Sequence, residues 1–220
     1  MKSIFFVEGV PGVGKSTLVK ELMSSNSLVC QVEIVPGEKV VPENPVRRVV
    51  KTGRVLSIRE ARLIYLNMPY DLYRDEHMRI WSEFCEQHSH QCLDIVVDAG
   101  LIQASLYELM GLYMLQWEKI VRHLQSIIDM ISCTFEPRLI YIKTTNPGLC
   151  VRKAMEKQKE QREQWINGFC KWLEIAPYPV AKGYIGPTGI EKFVEDRYKL
   201  ECYLLDRLRI QKDIRIRGKI

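Results

Sequence analysis

The segment Met1–Lys20, MKSIFFVEGVPGVGKSTLVK, decides the fold of this chain. Ser3–Val7 is an apolar, aromatic-rich run of strand length, and helical periodicity begins at Thr17. Between them, Gly9–Ser16 fills every fixed position of the pattern G-x-x-x-x-G-K-[ST]. The pattern therefore lies between a strand and a helix N-terminus, which is the context that a phosphate-binding loop requires.

The residue types in this loop suit the binding of a polyphosphate. Glycines bring backbone N–H groups close to phosphate oxygens, and the helix N-terminus adds partial positive charge. We expect Lys15 to reach the outer phosphates and the Ser16 hydroxyl to hold Mg²⁺. The residues that we expect to contact the nucleotide are Gly9, Gly12, Val13, Gly14, Lys15, Ser16 and Thr17. The sequence thus predicts binding of a nucleoside triphosphate, with ATP and Mg²⁺ as cofactors.

Composition restricts the remaining possibilities. The chain has 220 residues, 46% of them hydrophobic, and a net charge of +5. This excess is mild and contains no long basic run, so a small polyanion explains it and nucleic acid is not an expected partner. The apolar N-terminus is too short for a signal sequence, and the longest apolar runs elsewhere contain charges, so no membrane segment is expected. Seven scattered cysteines without C-x-x-C pairs indicate reduced thiols, and we expect a cytoplasmic protein, with a monomer and a homodimer both open.

The order of predicted elements gives the fold class. Strands are predicted at residues 3–7, 28–35, 93–98, 138–143 and 213–217, with helices between them. Strands separated by helices predict a three-layer, doubly wound parallel sheet of about five strands, with helices on both faces. We expect a single domain, residues 1–220, in which residues 150–189 form a lid.

The predicted helices carry recognisable start signals. A long helical region is predicted at residues 102–131, and another helix at 147–173 with Asn146 as N-cap and Pro147 at its first position. Residues 176–189 are predicted to be a loop, because they contain several prolines and glycines. Thr188 and Glu191 fit a capping box at the start of the last helix.

Three carboxylates are candidates for the site. Asp98 ends an apolar strand at the carboxyl edge of the sheet, where it would hold Mg²⁺ or contact the acceptor; the alternative is a helix-capping Asp. Glu38 follows the second predicted strand and could take a proton from an acceptor hydroxyl, or it could be a solvated loop residue. Glu8 precedes the loop and could order its backbone or the water shell of the metal; ordinary solvation of a strand end is equally compatible.

The helix predicted at residues 147–173 has the densest charge in the chain. Arg152 and Arg162 are candidates to close over the transferred phosphoryl group, because phosphoryl transfer needs positive charge around the migrating group. The interleaved glutamates support an alternative, in which this helix is solvated and carries i,i+4 ion pairs.

A second cluster, Cys85, His88, His90 and Cys92, contains only metal-ligand residue types. Four ligands within eight residues are more tightly spaced than structural zinc sites, so core packing of Cys92 is the favoured interpretation. Trp165, Trp172, Tyr178 and Tyr184 could stack on a base, although packing beneath a loop is the commoner role.

Three segments resemble nucleoside and nucleotide kinases, particularly thymidylate kinase-like proteins. Val7–Thr17, VEGVPGVGKST, resembles the opening of these enzymes, and Val97–Tyr107, VDAGLIQASLY, resembles the segment that follows their third strand. The strand LIYI at 139–142, with Pro147 and Arg152, resembles the strand that leads into their Arg-rich lid. Residues 165–208 are more similar to bacterial P-loop proteins of unassigned substrate.

The resemblance implies a P-loop kinase fold and transfer of the γ-phosphoryl group of ATP to a small acceptor, a nucleoside or nucleotide. Lys15, Asp98, Glu38, Arg152 and Arg162 would then be the catalytic residues, and Ser16 and Asp98 the metal ligands. Pro11 and Ala99 stand where thymidylate kinases carry Asp and Arg, so the resemblance does not specify dTMP as the acceptor.

Two other functions stay open at the level of sequence. One is a nucleotide-binding regulatory module with little turnover, which the Ala at position 99 motivates. The other is an NTPase linked to nucleic acid, which is weaker because no basic stripe is present. A GTPase is disfavoured, since the guanine-reading pattern N-K-x-D does not occur.

Overall fold

The computed structural model of the chain describes residues 2–25, 67–90, 94–156 and 159–216. It does not describe the side chains at 23–25 and 159–164. The described strands are β1 (Ser3–Glu8), β2 (Ile95–Asp98), β3 (Glu136–Lys143) and β4 (Gln211–Ile216). They form one sheet in the order β2-β1-β3-β4, and every pair of neighbours is parallel. The mixed α/β class and the parallel sheet agree with the sequence prediction.

Helices connect these strands. In chain order they are α1 (Lys15–Ser25), α2 (Tyr70–His88), α3 (Ile102–Leu106), α4 (Trp117–Ile131), α5 (Pro147–Glu156), α6 (Lys159–Leu173), α7 (Pro177–Lys182) and α8 (Gly186–Arg207). A π-helix, Tyr107–Leu112, directly follows α3.

Strand β1 lies in the interior of the sheet, and its side chains contact helices on both faces. Phe6 packs edge-to-face against Trp81 of α2, with ring centroids 5.7 Å apart. Val7 is in register with Asp98 of β2, and α1 brings Ser16 to that aspartate. Because successive residues of a strand point to opposite faces, α1 and α2 cover different sides of the sheet. This arrangement is consistent with a doubly wound fold; the strand predicted at 28–35 lies outside the described residues.

The helical region predicted at 102–131 is interrupted in the structure. The π-helix ends at Leu112, Met114 has a left-handed φ of 48°, and α4 begins only at Trp117. A continuing helix cannot contain that backbone conformation, so the prediction of one long helix was wrong.

The region predicted to be a loop at 176–189 is largely helical. Proline at the first position favours a helix start, and Pro177 occupies that position in α7. Helix α8 begins at Gly186 with Ile185 as N-cap, so Thr188 lies inside the first turn and the predicted capping box was wrong. The Asn146 cap was predicted correctly, since its Oδ1 accepts the N–H of Leu149 at 2.8 Å.

Aromatic side chains hold α6 and α8 against the π-helix. Trp172 and Phe169 of α6 contact Tyr107 of the π-helix and Phe193 of α8, with ring centroids 5.0 to 6.0 Å apart. Tyr178 of α7 packs edge-to-face on the same Phe193 ring. Packing, rather than an open stacking surface, is therefore the role that the structure shows for Trp172 and Tyr178.

None of the helices in the described part of the chain combines the length and the apolar character that crossing a membrane requires.

Candidate functional site

The loop between β1 and α1 follows a path that its glycines permit. Gly9 and Gly12 have φ of 140° and 82°, in a region that other residues rarely enter. A Cβ on Gly9 would lie 2.8 Å from the Ile142 carbonyl oxygen, and one on Gly12 would overlap the Cys150 carbonyl of α5. The loop is therefore packed closely on β3 and α5, and side chains at these two positions would push it away.

The first N–H groups of helix α1 have no acceptor within the helix. Leu18 donates its N–H to the carbonyl of Gly14 at 3.2 Å, which makes Gly14 the residue that precedes the helix. The N–H groups of Lys15, Ser16 and Thr17 come before this first intrahelical bond, so the helix supplies no acceptor for them. Together with the helix dipole, these groups form an environment that favours an anion.

The Lys15 side chain turns back over the loop. Its ammonium donates to the carbonyl oxygens of Gly9 and Val10, at 2.8 and 3.0 Å. Burial lowers the pKa of this ammonium to about 8, although the carboxylates of Asp98 and Glu8 act in the opposite direction. Within the part of the chain that the structure describes, the hydrogen bonds of this buried ammonium go only to neutral carbonyls, so it would gain from an anionic partner such as phosphate oxygens.

Asp98 and Ser16 bring two oxygen ligands together. The Ser16 hydroxyl donates to Asp98 Oδ2 at 3.3 Å, and Asp98 Oδ1 is buried with no hydrogen-bond partner in the described residues. A buried carboxylate oxygen without a partner is costly, and a cation would satisfy it. Mg²⁺ prefers oxygen ligands and commonly takes one or two from the protein, so this pair fits a magnesium ion.

The Glu8 carboxylate hydrogen-bonds to the segment that follows β2. Glu8 is fully buried, and its carboxylate accepts the N–H groups of Leu101, Ile102 and Gln103 at 2.8, 2.9 and 3.0 Å. Burial raises the pKa of Glu8 to about 7, against the lowering effect of these three bonds. Glu8 therefore caps the N-terminus of α3, the helix that follows Asp98.

The turn between Asp98 and α3 has an unusual backbone. Ala99 has a left-handed φ of 57°, and its N–H donates to the Val7 carbonyl at 2.9 Å. Non-glycine residues in this conformation carry strain and are concentrated at functional sites. Ala99, where the sequence departs from the kinase resemblance, thus holds the left-handed position of the turn that follows Asp98.

A buried ion pair lies on the Glu8 side of the sheet. Arg197 and Glu201 of α8 are both fully buried, with Arg197 Nε 2.8 Å from Glu201 Oε1 but not aligned for a hydrogen bond. The Tyr141 hydroxyl of β3 donates to the other Glu201 oxygen, and the Arg197 guanidinium lies 5.2 Å from the centre of the Tyr107 ring. Arg197 and Glu201 both act electrostatically on Lys15, so the pair belongs to the surroundings of the site.

The remaining predicted residues are less closely associated with the loop. Arg152 of α5 forms a bidentate ion pair with Glu191 of α8, at 3.0 and 2.5 Å. Because each helical residue advances by about 100°, Arg152 lies roughly opposite Cys150, whose carbonyl meets Gly12. Contact of Arg152 with phosphate stays a prediction that would require this ion pair to open. Glu38 and the Arg162 side chain lie outside the described residues.

The cysteine and histidine cluster shows ordinary packing where it is described. Cys85 is buried, and burial raises its pKa to about 11. His88 stacks on the Phe84 ring, and its Nδ1 lies 2.9 Å from the Phe84 carbonyl. Cys92 is outside the described residues, and the described ones contain no group of three or more His, Cys, Asp or Glu placed to hold a metal ion.

Two features of the site were not predicted from the sequence. The capping role of Glu8 depends on residues more than ninety positions away, for which the sequence contains no signal. The buried pair of Arg197 and Glu201 does have a sequence signal, which is the i,i+4 spacing of opposite charges between apolar residues. This spacing is also typical of exposed helices, so it did not identify the pair.

No protein-family model matches this chain, and a search of curated proteins also finds no match.

Proposed function

We propose that this protein is an ATP-dependent phosphotransferase that moves the γ-phosphoryl group of ATP to a small acceptor, a nucleoside or nucleotide. The observation that carries the proposal is the combination at the N-terminus of α1: a glycine loop, a buried ammonium at Lys15, and the Ser16–Asp98 oxygen pair. Each part matches one need of a magnesium nucleotide, and a strand–helix turn without a ligand needs none of them.

Different residues would bind the phosphates and the metal ion of the nucleotide. The backbone N–H groups at the start of α1 would bind the phosphates, and Lys15 would exchange its carbonyl partners for phosphate oxygens. Ser16 and Asp98 would hold Mg²⁺, which when bound neutralises charge on the phosphates. The fold that we propose is that of a P-loop kinase, in which the strand predicted at 28–35 completes the sheet and residues 150–189 form the lid.

Transfer would follow the chemistry common to this class. An acceptor oxygen forms a bond to the γ-phosphorus, the bond to the bridging oxygen breaks, and ADP leaves with that electron pair. The proton of an acceptor hydroxyl would pass to a base, for which Glu38 is the candidate. Arg152 and Arg162 would stabilise the charge on the transferred group.

Calorimetry with Mg-ATP tests the binding step. We expect the wild type to bind, and Lys15→Ala to weaken binding at least about tenfold, because a charge-assisted contact is lost. Lys20→Ala is the matched control, since Lys20 is exposed on the same helix. Absence of binding by the wild type, or equal affinity in Lys15→Ala, would refute the proposal.

An acceptor panel tests transfer. Nucleosides and nucleoside monophosphates are incubated with Mg-ATP, and acceptor-dependent release of ADP is measured. We expect at least one of these acceptors to raise ADP release above the rate with ATP alone.

The ion pair between Arg152 and Glu191 favours a second candidate, a nucleotide-binding regulatory module with little turnover. Tight Mg-ATP binding without ADP release from any acceptor would support this candidate and contradict the kinase.

A further inference from the structure

We propose that Glu8 is a positioning residue for the metal site: by holding the turn that follows β2, it sets the affinity of the Ser16–Asp98 pair for Mg²⁺. This inference rests on the proposed function, because it assumes that a magnesium nucleotide is the ligand.

Glu8 acts through the backbone rather than as a ligand. Asp98 is in register with Val7, so the Asp98 side chain shares the Val7 face of the sheet. Glu8 is the next residue along β1, and its side chain points to the opposite face, where it meets α3. Its two oxygens accept three N–H groups and so already have partners.

The turn between Asp98 and α3 is fixed at both ends by β1. At its start, the Ala99 N–H donates to the Val7 carbonyl. At its end, the Glu8 carboxylate holds the N–H groups of Leu101, Ile102 and Gln103. Only Gly100 lies between these anchors, and Ala99 holds a left-handed φ of 57°. Without the carboxylate, the strain at Ala99 favours relaxation of the turn, and the Asp98 carboxylate would lose its fixed position beside Ser16.

A carboxylate is the side chain that this position requires. All three groups that hydrogen-bond to Glu8 are backbone N–H donors, and a carboxylate can accept all three without presenting an N–H group of its own. Glutamine has the same shape but would direct an NH₂ group at backbone N–H groups. Partners of this kind, which orient a metal ligand without touching the metal, commonly change metal affinity by about ten- to a hundredfold when they are mutated.

The test compares Glu8→Gln with Phe6→Leu. Phe6 is also fully buried on β1 and points to the same face, so Phe6→Leu disturbs the core but leaves the three bonds in place. Two quantities are measured: hydrogen exchange of the amides at residues 101–103, and the affinity for ATP in EDTA and in excess Mg²⁺. The ratio of the two affinities reports the contribution of the metal, separately from phosphate binding.

We expect Glu8→Gln to speed exchange of these amides about tenfold or more and to reduce the magnesium enhancement of ATP affinity about tenfold or more. ATP affinity in EDTA should stay close to that of the wild type, and Phe6→Leu should retain both the slow exchange and the enhancement. Should Glu8→Gln not fold, Glu8→Asp replaces it with the same expectations, because it keeps the charge but retracts the carboxylate by one methylene group.

The outcomes separate this inference from the proposed function. If the wild type binds ATP with a magnesium enhancement that Glu8→Gln retains, the inference is wrong and the proposed function stands. Unchanged exchange at 101–103 in Glu8→Gln would also overturn it, since the turn would then be held without the carboxylate. If the wild type binds no ATP under either condition, the proposed function fails, and this inference fails with it.

Discussion

The imidazoles of His77 and His123 share a hydrogen bond of 3.0 Å between Nδ1 of the first and Nε2 of the second. Trp81 donates its indole N–H to His77 Nε2 at 3.1 Å, so His77 must carry its proton on Nδ1 and donate it to His123. His123 must then carry its own proton on Nδ1, where it faces the Tyr70 hydroxyl at 3.1 Å. This chain of hydrogen bonds links α2 and α4 and requires both histidines to be neutral.

This relationship predicts loss of stability in acid. Burial lowers the pKa of His77 to about 3 and that of His123 to about 4, so below pH 6.5 the unfolded chain binds protons that the folded one does not. The contribution of the two neutral histidines to the free energy of unfolding is complete well above pH 6.5, and it should fall by about 1.4 kcal/mol per histidine by pH 5.5. Urea unfolding of the wild type and of His77→Phe/His123→Leu between pH 5 and 8 measures it. Equal pH dependence of the two proteins would contradict the prediction.

Gly12 should not tolerate a side chain. Gly12→Ala places a Cβ against the Cys150 carbonyl and forces a φ of 82° on alanine. We therefore expect the free energy of unfolding to fall by about 1–3 kcal/mol and Mg-ATP binding to weaken. Gly168→Ala is the control, because a Cβ at this helical position meets nothing within 4 Å. Thermal unfolding and calorimetry of both variants decide the point, and a Gly12→Ala protein as stable as Gly168→Ala would show that the loop is loosely packed.

Removing only one partner of the buried ion pair between Arg197 and Glu201 should strongly destabilise the protein. We expect Arg197→Met to destabilise the protein by about 3–5 kcal/mol, because it leaves the Glu201 carboxylate buried without its cation. Arg197→Met/Glu201→Gln should cost less than the sum of the two single substitutions, since no unpaired charge remains. Denaturant unfolding of all three variants gives the coupling energy, and additive losses would mean that the two groups do not interact.

Arg152 provides a test of catalysis that is separate from stability. Because the Arg152 side chain is about half exposed to solvent, Arg152→Ala should lower the unfolding midpoint only slightly. If Arg152 stabilises the transferred phosphoryl group, the same variant should lower the transfer rate about a hundredfold or more. Glu191→Gln, which releases the guanidinium, should not lower the rate. Equal rates for the wild type and Arg152→Ala would assign Arg152 a role in holding α5 to α8.

The parts of the fold that were predicted are those whose causes are local. β1, the glycine loop and the start of α1 are consecutive in the chain, and the Asn146 cap acts on a residue three positions away. The β-branched run before Asp98 likewise identified a strand that ends at the site, because buried strands are apolar along their length.

The parts that were not predicted depend on distant residues. Nothing near Met114 indicates its left-handed conformation, which breaks the expected long helix. The i,i+4 spacing of Arg197 and Glu201 is typical of an exposed helix, yet both residues are buried, and Glu201 accepts the Tyr141 hydroxyl of β3. Glu8 looks like a residue at a strand end, and only the position of α3 identifies it as a cap.

The absence of a side chain at Gly12 has a mechanical consequence. A Cβ on Gly12 would overlap the Cys150 carbonyl, so the loop rests directly on the backbone of α5, whereas a Cβ on Gly148 would meet only the end of the Glu195 side chain, which can rotate away. A ligand that displaced the loop would therefore push first on α5. A fluorescent label on the exposed surface of α5, beside Lys153, would report that displacement.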